Sequence, residues 1–447
     1  MTKDYNELLE LAETLFTELF PLCRSITGNG VRESFKILQK HAGFDIKEYR
    51  SGTQCYDWTV PKEWNIQDAW IKDAEGNLRV SLKQNNLHVL NYSPPVKGTF
   101  TFAELQPHLY TLPEMPDAIP YRTTYYEEKW GFCLEHDRLQ QLDPNGVYEV
   151  LIDSTLEDGS LTLVDALIKG SSDEEILISA YSCHPSMGND NLSGMIMATL
   201  LYRYLSQRKN RYTYRFVICP ETIGAICYLK HHEETIKKVI SCFVLTCVAG
   251  QGEIGYKETF IGNHILDRIS KLVLEEKGLA YKCYPFVPNG SDERQYSSVG
   301  FRIPTVLITK DKYYDYDFYH TSKDNLKFVS AENLLQTYAI YTKALYCLEN
   351  NVAVETLSPM CEVRLGKRGL YPNTGGIITE ETKAGCARLF RNTELCRDET
   401  DLSLWILFLA DGKHTVLDIA EKTGAEFELI RNKIEIFKDH NLLKILY

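Results

Sequence analysis

Between residues 162 and 350 the chain alternates short, almost uninterrupted apolar runs with longer segments of helical periodicity. This alternation constrains the fold more than any other feature. Residues 176–183, 215–219, 241–248 and 304–309 are rich in Ile, Val, Leu and Phe and read as strands. Between and after them, 193–207, 223–231, 264–277 and 331–349 read as helices. A strand that is apolar along its whole length is buried on both faces, as happens when crossover helices cover both sides of a mostly parallel sheet. The expected class is therefore α/β.

The flanking regions differ in texture. Leu8, Leu9, Leu11, Leu15, Phe16, Leu19 and Phe20 recur at helical spacing, and after a break at 25–30 a second helix is predicted over 31–41. From about 56 to 158, short alternating segments (68–72, 87–92, 146–152) lie between Pro94-Pro95, Pro113, Pro116, Pro120 and Asn145-Gly146, which predicts an all-β insertion. Its aromatics Tyr121, Tyr125, Tyr126, Trp130 and Phe132 could line a site, but the reading preferred for them is a β core built on aromatics. Residues 358–376, rich in Pro and Gly, read as a linker. Beyond it, 402–409, 416–423 and 427–440 form three helical segments ahead of an apolar strand at 442–446, a winged helix-turn-helix pattern over 377–447. The predicted organisation is a discontinuous α/β domain (1–55 and 159–357), a lid-like insertion (56–158), a linker and a winged helix.

With 447 residues the chain has room for about three domains. A net charge of −12 excludes a general binder of nucleic acid or anionic membrane. No apolar run approaches the ~18 residues of a membrane span, and the acidic amphipathic start lacks the marks of a signal peptide. The 13 Cys are scattered, without a C-x-x-C pair, as buried thiols of a reducing compartment would be. A cytoplasmic protein is expected.

In open α/β sheets ligands bind beyond the carboxyl ends of the strands. The first strand ends in Cys183-His184-Pro185, followed by Asp190-Asn191-Leu192-Ser193-Gly194; the second ends in Pro220-Glu221-Thr222. The third ends in Thr246-Cys247-Val248, and the fourth leads to Tyr319-His320-Thr321-Ser322-Lys323-Asp324. Two His and two carboxylates thus meet on one rim, the donor mix that zinc takes with a Glu free to act as a base.

These residues, together with Arg24-Ser25-Ile26-Thr27-Gly28-Asn29-Gly30, Trp130-Gly131-Phe132-Cys133, Gly290-Ser291-Asp292-Glu293-Arg294-Gln295 and Gly366-Lys367-Arg368-Gly369-Leu370-Tyr371, resemble the zinc-dependent aminopeptidase clan. That clan includes bacterial exo-aminopeptidases, glutamate carboxypeptidase and glutaminyl cyclase. More closely, the chain resembles a bacterial aminopeptidase-like family with an inserted β-domain and a C-terminal winged helix. The resemblance implies His184, Asp190 and His320 as zinc ligands and Glu221 as general base, with zinc activating water against a scissile carbonyl. It also implies supporting or substrate-binding roles for Asp324, placed to orient an imidazole, and for Asp292 and Glu293.

The sequence departs from the two-metal pattern of the clan. Thr222 stands where a second carboxylate follows the base, 246–250 holds no Asp, and Ser186 replaces an Asp that supports the first His. One zinc rather than two is expected, with Cys247 either a replacement thiolate ligand or a buried structural thiol. The leading function is a zinc hydrolase acting on a peptide or small amide. Two rivals stand beside it: an amidase, deacylase or cyclase-like enzyme on a non-peptide, amino-sugar-type substrate, and a non-catalytic scaffold or regulator with a decayed metal site. Residues 401–447 hold six Lys and Arg against eight Asp and Glu. The winged helix is therefore expected to pack on protein, in this chain or in a homo-oligomer, and not on DNA.

Overall fold

The computed structural model describes residues 2–371 and 390–447. The apolar runs pair in one eight-stranded sheet. Its strands in chain order are β1 (Asp45–Arg50), β2 (Ser160–Ile168), β3 (Glu175–Tyr181), β4 (Thr213–Cys219), β5 (Val239–Leu245), β6 (Ile254–Lys257), β7 (Tyr281–Tyr284) and β8 (Thr305–Lys310). Their spatial order is β1-β2-β4-β3-β5-β8-β6-β7. The inner four, β4-β3-β5-β8, are parallel. β1, β2 and β6 join the sheet antiparallel, so it is mixed at its margins. β3 and β4 are buried at every residue, which accounts for their uninterrupted apolar texture. β6 and β7, only four residues each, carry too short a pattern to be read from sequence.

The insertion is built on a four-stranded antiparallel sheet in the order Leu78–Ser81, Glu63–Lys72, Val147–Glu157, Val96–Thr101. The segment 87–92, expected as a strand, instead follows a short 3-10 turn at Asn86–His88, because the Asn85 side chain accepts the Leu87 N–H and closes the chain on itself. Sheet and insertion belong to one compact unit, which comprises residues up to Asp267 and Ala280–Thr342.

The second unit comprises Arg268–Leu279 and Lys343–Tyr447. Helices Glu399–Phe408, Val416–Thr423 and Phe427–Asp439 accompany a three-stranded sheet in which Ala353–Thr356 pairs with both Asp411–Thr415 and Leu443–Leu446. The winged helix therefore begins near residue 353, not at 377 as the Pro/Gly-rich stretch suggests. A four-residue strand directly after a long helix leaves no periodic signal, and its assignment comes only from its partners. Residues 372–389, which include the end of the expected linker and the expected start of the module, lie outside the described residues. Among the described residues, no helix is long and apolar enough to cross a membrane.

What positions the site is the segment between β3 and the helix Ser193–Ser206. The Asn191 side chain donates to the Leu245 carbonyl at the end of β5 (2.9 Å), and that of Asn189 donates to the Lys310 carbonyl at the end of β8 (3.1 Å). The Ser193 hydroxyl donates to Asn189 O and accepts from Val248 N–H. A side chain on Gly194 would strike the Leu245 carbonyl oxygen and the Asn191 amide, so the helix can approach β5 only with glycine there. Gly194→Ala is expected to destabilise the protein by about 1–3 kcal/mol, read in urea denaturation. A neutral effect would show that the approach is not tight.

Candidate active site and metal centre

Three ligand-type side chains meet beyond the ends of β3 and β8. His184, Asp190 and His320 each offer one ligand atom, all within 4.8 Å of one another. Asp190 Oδ2 and His320 Nε2 lie 3.0 Å apart, and both are buried without a hydrogen-bond partner. An imidazole nitrogen and a carboxylate oxygen buried face to face call for a positive charge between them, a proton or a metal ion. Burial pushes the His184 imidazole down to about 4, so its ring is neutral and one of its nitrogens offers a lone pair. Burial acts to raise the Asp190 carboxyl, but His184, His320 and the Tyr181 hydroxyl outweigh it and hold the group below its ordinary value, ionised. The neutral His184 imidazole, the His320 imidazole and the Asp190 carboxylate make up a zinc donor set, and these residues fit such an ion.

Each candidate ligand is held by groups behind it. Tyr181 donates to Asp190 Oδ1 and lies 2.7 Å from the Thr246 hydroxyl. Asp324 does not orient an imidazole. Its carboxylate accepts the backbone N–H groups of Asn189 (2.6 Å) and Asp190 (2.9 Å) and the Tyr316 hydroxyl, so it fixes the main chain that carries the ligand. Burial pushes the Asp324 carboxyl up to about 7 against the pull of those N–H groups. The Arg24 guanidinium, fully buried, donates to the His184 and Leu19 carbonyls, and this accounts for Arg24 in its motif.

The insertion supplies a wall. Tyr121 stands against both imidazoles, with ring centroids 5.1 Å from His184 and from His320, while packing with Leu87, Ile119, Cys133 and Met187 in a small buried cluster. Its N–H donates to the His320 carbonyl at 2.7 Å, and Ile119 and Ser322 exchange two more hydrogen bonds. Where the sequence suggests a lid, these bonds stitch the insertion to the His320 loop. Tyr319 stacks on the outer face of His320, with centroids 3.8 Å apart.

Glu221 follows β4, with Oε2 4.0 Å from His184 Nε2. Burial, and then the charges of Asp292 and Asp190, push its carboxyl well above the usual carboxylate range. A group so perturbed beside candidate ligands is what proton transfer near neutral pH asks for. Asp292 lies behind it and accepts the Thr222 N–H at 2.7 Å; burial pushes Asp292 up to about 7. Glu293 is not at the ligands. It forms a buried ion pair with Lys257 (2.6 Å) and accepts the Tyr313 hydroxyl, bracing the loop whose Val287 and Asn289 carbonyls Lys257 also holds. Cys247 is fully buried and is not part of the ligand groups found among the described residues. Cys183, which sequence adjacency alone could not place, lies with its Sγ 3.5 Å from His184 Nδ1 and accepts the Glu221 N–H.

A family model described as a domain of unknown function (DUF4910) matches residues 13–351. The chain belongs to this family. A winged helix-turn-helix model matches 352–445 of this DUF4910 chain, starting where the strand Ala353–Thr356 does. The "Putative polysaccharide biosynthesis protein with aminopeptidase-like domain" of Clostridium acetobutylicum is 44% identical over 432 residues, 97% of this chain and 95% of that protein. The crystal structure of a "putative peptidase" from the same species superposes with a TM-score of 0.89 at 41% identity, over 99% of this chain and 97% of that one. BSAP, a zinc aminopeptidase from Bacillus subtilis, gives a TM-score of 0.52 at 15% identity, over 75% of this chain and 94% of its own. That last likeness is one of fold. The DUF4910 chain is thus an aminopeptidase-like α/β protein with a C-terminal winged helix.

Asp324→Ala is expected to lower stability by about 1–3 kcal/mol for each backbone N–H left bare, while Asp324→Asn, which keeps one acceptor, loses less. Equal thermal denaturation of the two variants and the wild type would show that the carboxylate does not hold this segment.

Proposed function

We propose that the protein is a zinc-dependent hydrolase of the aminopeptidase type, acting on a peptide or a related small amide. The observation that carries this reading is the pair of bare, buried atoms, Asp190 Oδ2 and His320 Nε2, beside the neutral imidazole of His184. His184, Asp190 and His320 would hold one zinc. A second group, Cys183, His184 and Glu221, shares His184 with the first; with Thr222 in place of a carboxylate after Glu221, we take one ion as the reading to test. A zinc bound there supplies Lewis acidity toward a carbonyl oxygen and makes water nucleophilic near neutral pH. Glu221 takes the proton from the attacking water and returns it to the departing amine. Tyr121 packs against both imidazoles and Tyr319 stacks on that of His320, which stays partly open to solvent, and Asp324 and Arg24 hold the main chain on which the proposed ligands sit.

The printed name of the Clostridium acetobutylicum relative, which mentions polysaccharide biosynthesis, favours a second reading: the same residues cleaving an amide on an amino sugar. Aminoacyl arylamides and N-acyl amino sugars, assayed side by side, separate the two. Purified protein is expected to carry about one zinc per chain, lost in His184→Ala and His320→Ala. Glu221→Gln keeps the metal and loses about 10²–10⁴-fold in turnover. Two tightly held ions, or turnover undiminished in the Gln variant, would overturn the assignment; no metal and no turnover would leave a scaffold.

We also propose that the winged helix does not read DNA. Four of the six Lys and Arg of residues 401–447 are engaged within the module: Arg431 and Lys438 with Glu435, Lys433 with Glu399, and Lys444 with Glu355. Few remain to neutralise phosphates. Fluorescence anisotropy with mixed duplex DNA at physiological salt should show no tight binding; salt-sensitive submicromolar binding would refute the idea.

A further inference from the structure

Next to the candidate base, on the side of Thr222, lies a cavity of about 420 Å³. Trp58, Phe286 and Pro288 give it apolar walls, and the charged residues that line it are Arg294 and Arg302; no Asp or Glu does. Both charged residues of the lining are thus cationic, although the chain as a whole carries a net charge of −12.

The two guanidinium groups are also available. Arg294 donates from one Nη to the Thr222 hydroxyl at 2.8 Å, while its Nε is buried with no hydrogen-bond partner. It makes no ion pair among the described residues. Glu221 and Asp292 lie close enough to feel its charge, but Asp292 is taken up by the Thr222 N–H. Arg302 is exposed, with its guanidinium 5.4 Å from the Phe260 ring centroid, and it too forms no ion pair among the described residues. A guanidinium is a planar fork of donors that suits carboxylate and phosphate oxygens, and one held without a carboxylate partner lacks the anion its geometry is made for.

We propose that this cavity is a subsite for an anionic group, carboxylate or phosphate, carried by the substrate and gripped by Arg294 and Arg302. The amide presented to Glu221 then belongs to an acidic molecule, and a cationic one is repelled. The word substrate rests on the hydrolase reading above; the anion site itself does not.

Isothermal titration of the full-length, chelator-treated protein isolates the cavity, since no metal then draws a carboxylate to His184, Asp190 and His320. The probes are N-acetyl-L-glutamate and N-acetyl-O-phospho-L-serine, with neutral N-acetyl-L-glutamine as control. At least one anion is expected to bind about tenfold or more tightly than the control and to weaken about tenfold in Arg294→Gln and in Arg302→Gln. The tighter of the two anions tells carboxylate from phosphate. Anions that bind no better than the glutamine analogue overturn the proposal, as does unchanged affinity in Arg302→Gln, whose exposed side chain can be replaced without disturbing the fold. Because binding is read without turnover, failure of the hydrolase reading leaves this result standing, and the reverse holds too.

Discussion

The carboxylate of Asp324 accepting the backbone N–H groups of Asn189 and Asp190 is the interaction on which the site depends. It joins the loop after β8 to the segment after β3, two places far apart in sequence that must sit side by side if His320 and Asp190 are to face each other. A charged acceptor is suited to the task, because two backbone donors at a helix entrance have no intrahelical partners of their own. The same segment is anchored to β5 and β8 through Asn191 and Asn189, so the candidate ligand Asp190 sits on main chain fixed from several directions.

Around that anchor the molecule follows one plan: side chains that touch the candidate centre are few, and those that hold them are many. Tyr181 fixes the Asp190 carboxylate, Arg24 the main chain at His184, and Tyr121 the main chain at His320. The supports come from the first forty residues, from the insertion and from the tyrosine-rich loop before His320. The insertion is thus part of the site's frame as well as its wall.

Much of this was legible in the residues. The apolar runs of β3, β4, β5 and β8 could be read because each is buried on both faces, and the residues ending those strands point to one rim by topology alone. The helices 193–206 and 223–231 start almost where their periodicity does. What stayed hidden depends on contacts between distant segments. Nothing near Ala353–Thr356 marks it as a strand until Asp411–Thr415 and Leu443–Leu446 lie beside it. Tyr121 looks like any other aromatic in a β region, Arg24 like any surface cation, and Asp324 like a partner for its neighbour His320. Glu293 shares a motif with Asp292 yet turns to Lys257, a choice that only the folded loop makes visible.

The wide spacing of these parts along the chain has a consequence for biosynthesis. His184 and Asp190 leave the ribosome more than a hundred residues ahead of His320 and Asp324. At about 5–20 residues per second, that leaves an interval of roughly 7–27 s in which the β3 segment has no carboxylate to receive its N–H groups. Any ion captured then would meet one imidazole and one carboxylate in an unfinished pocket, a pair with little power to discriminate between metals. Were the site to take zinc, its full set of donors would exist only once the chain had been made as far as His320.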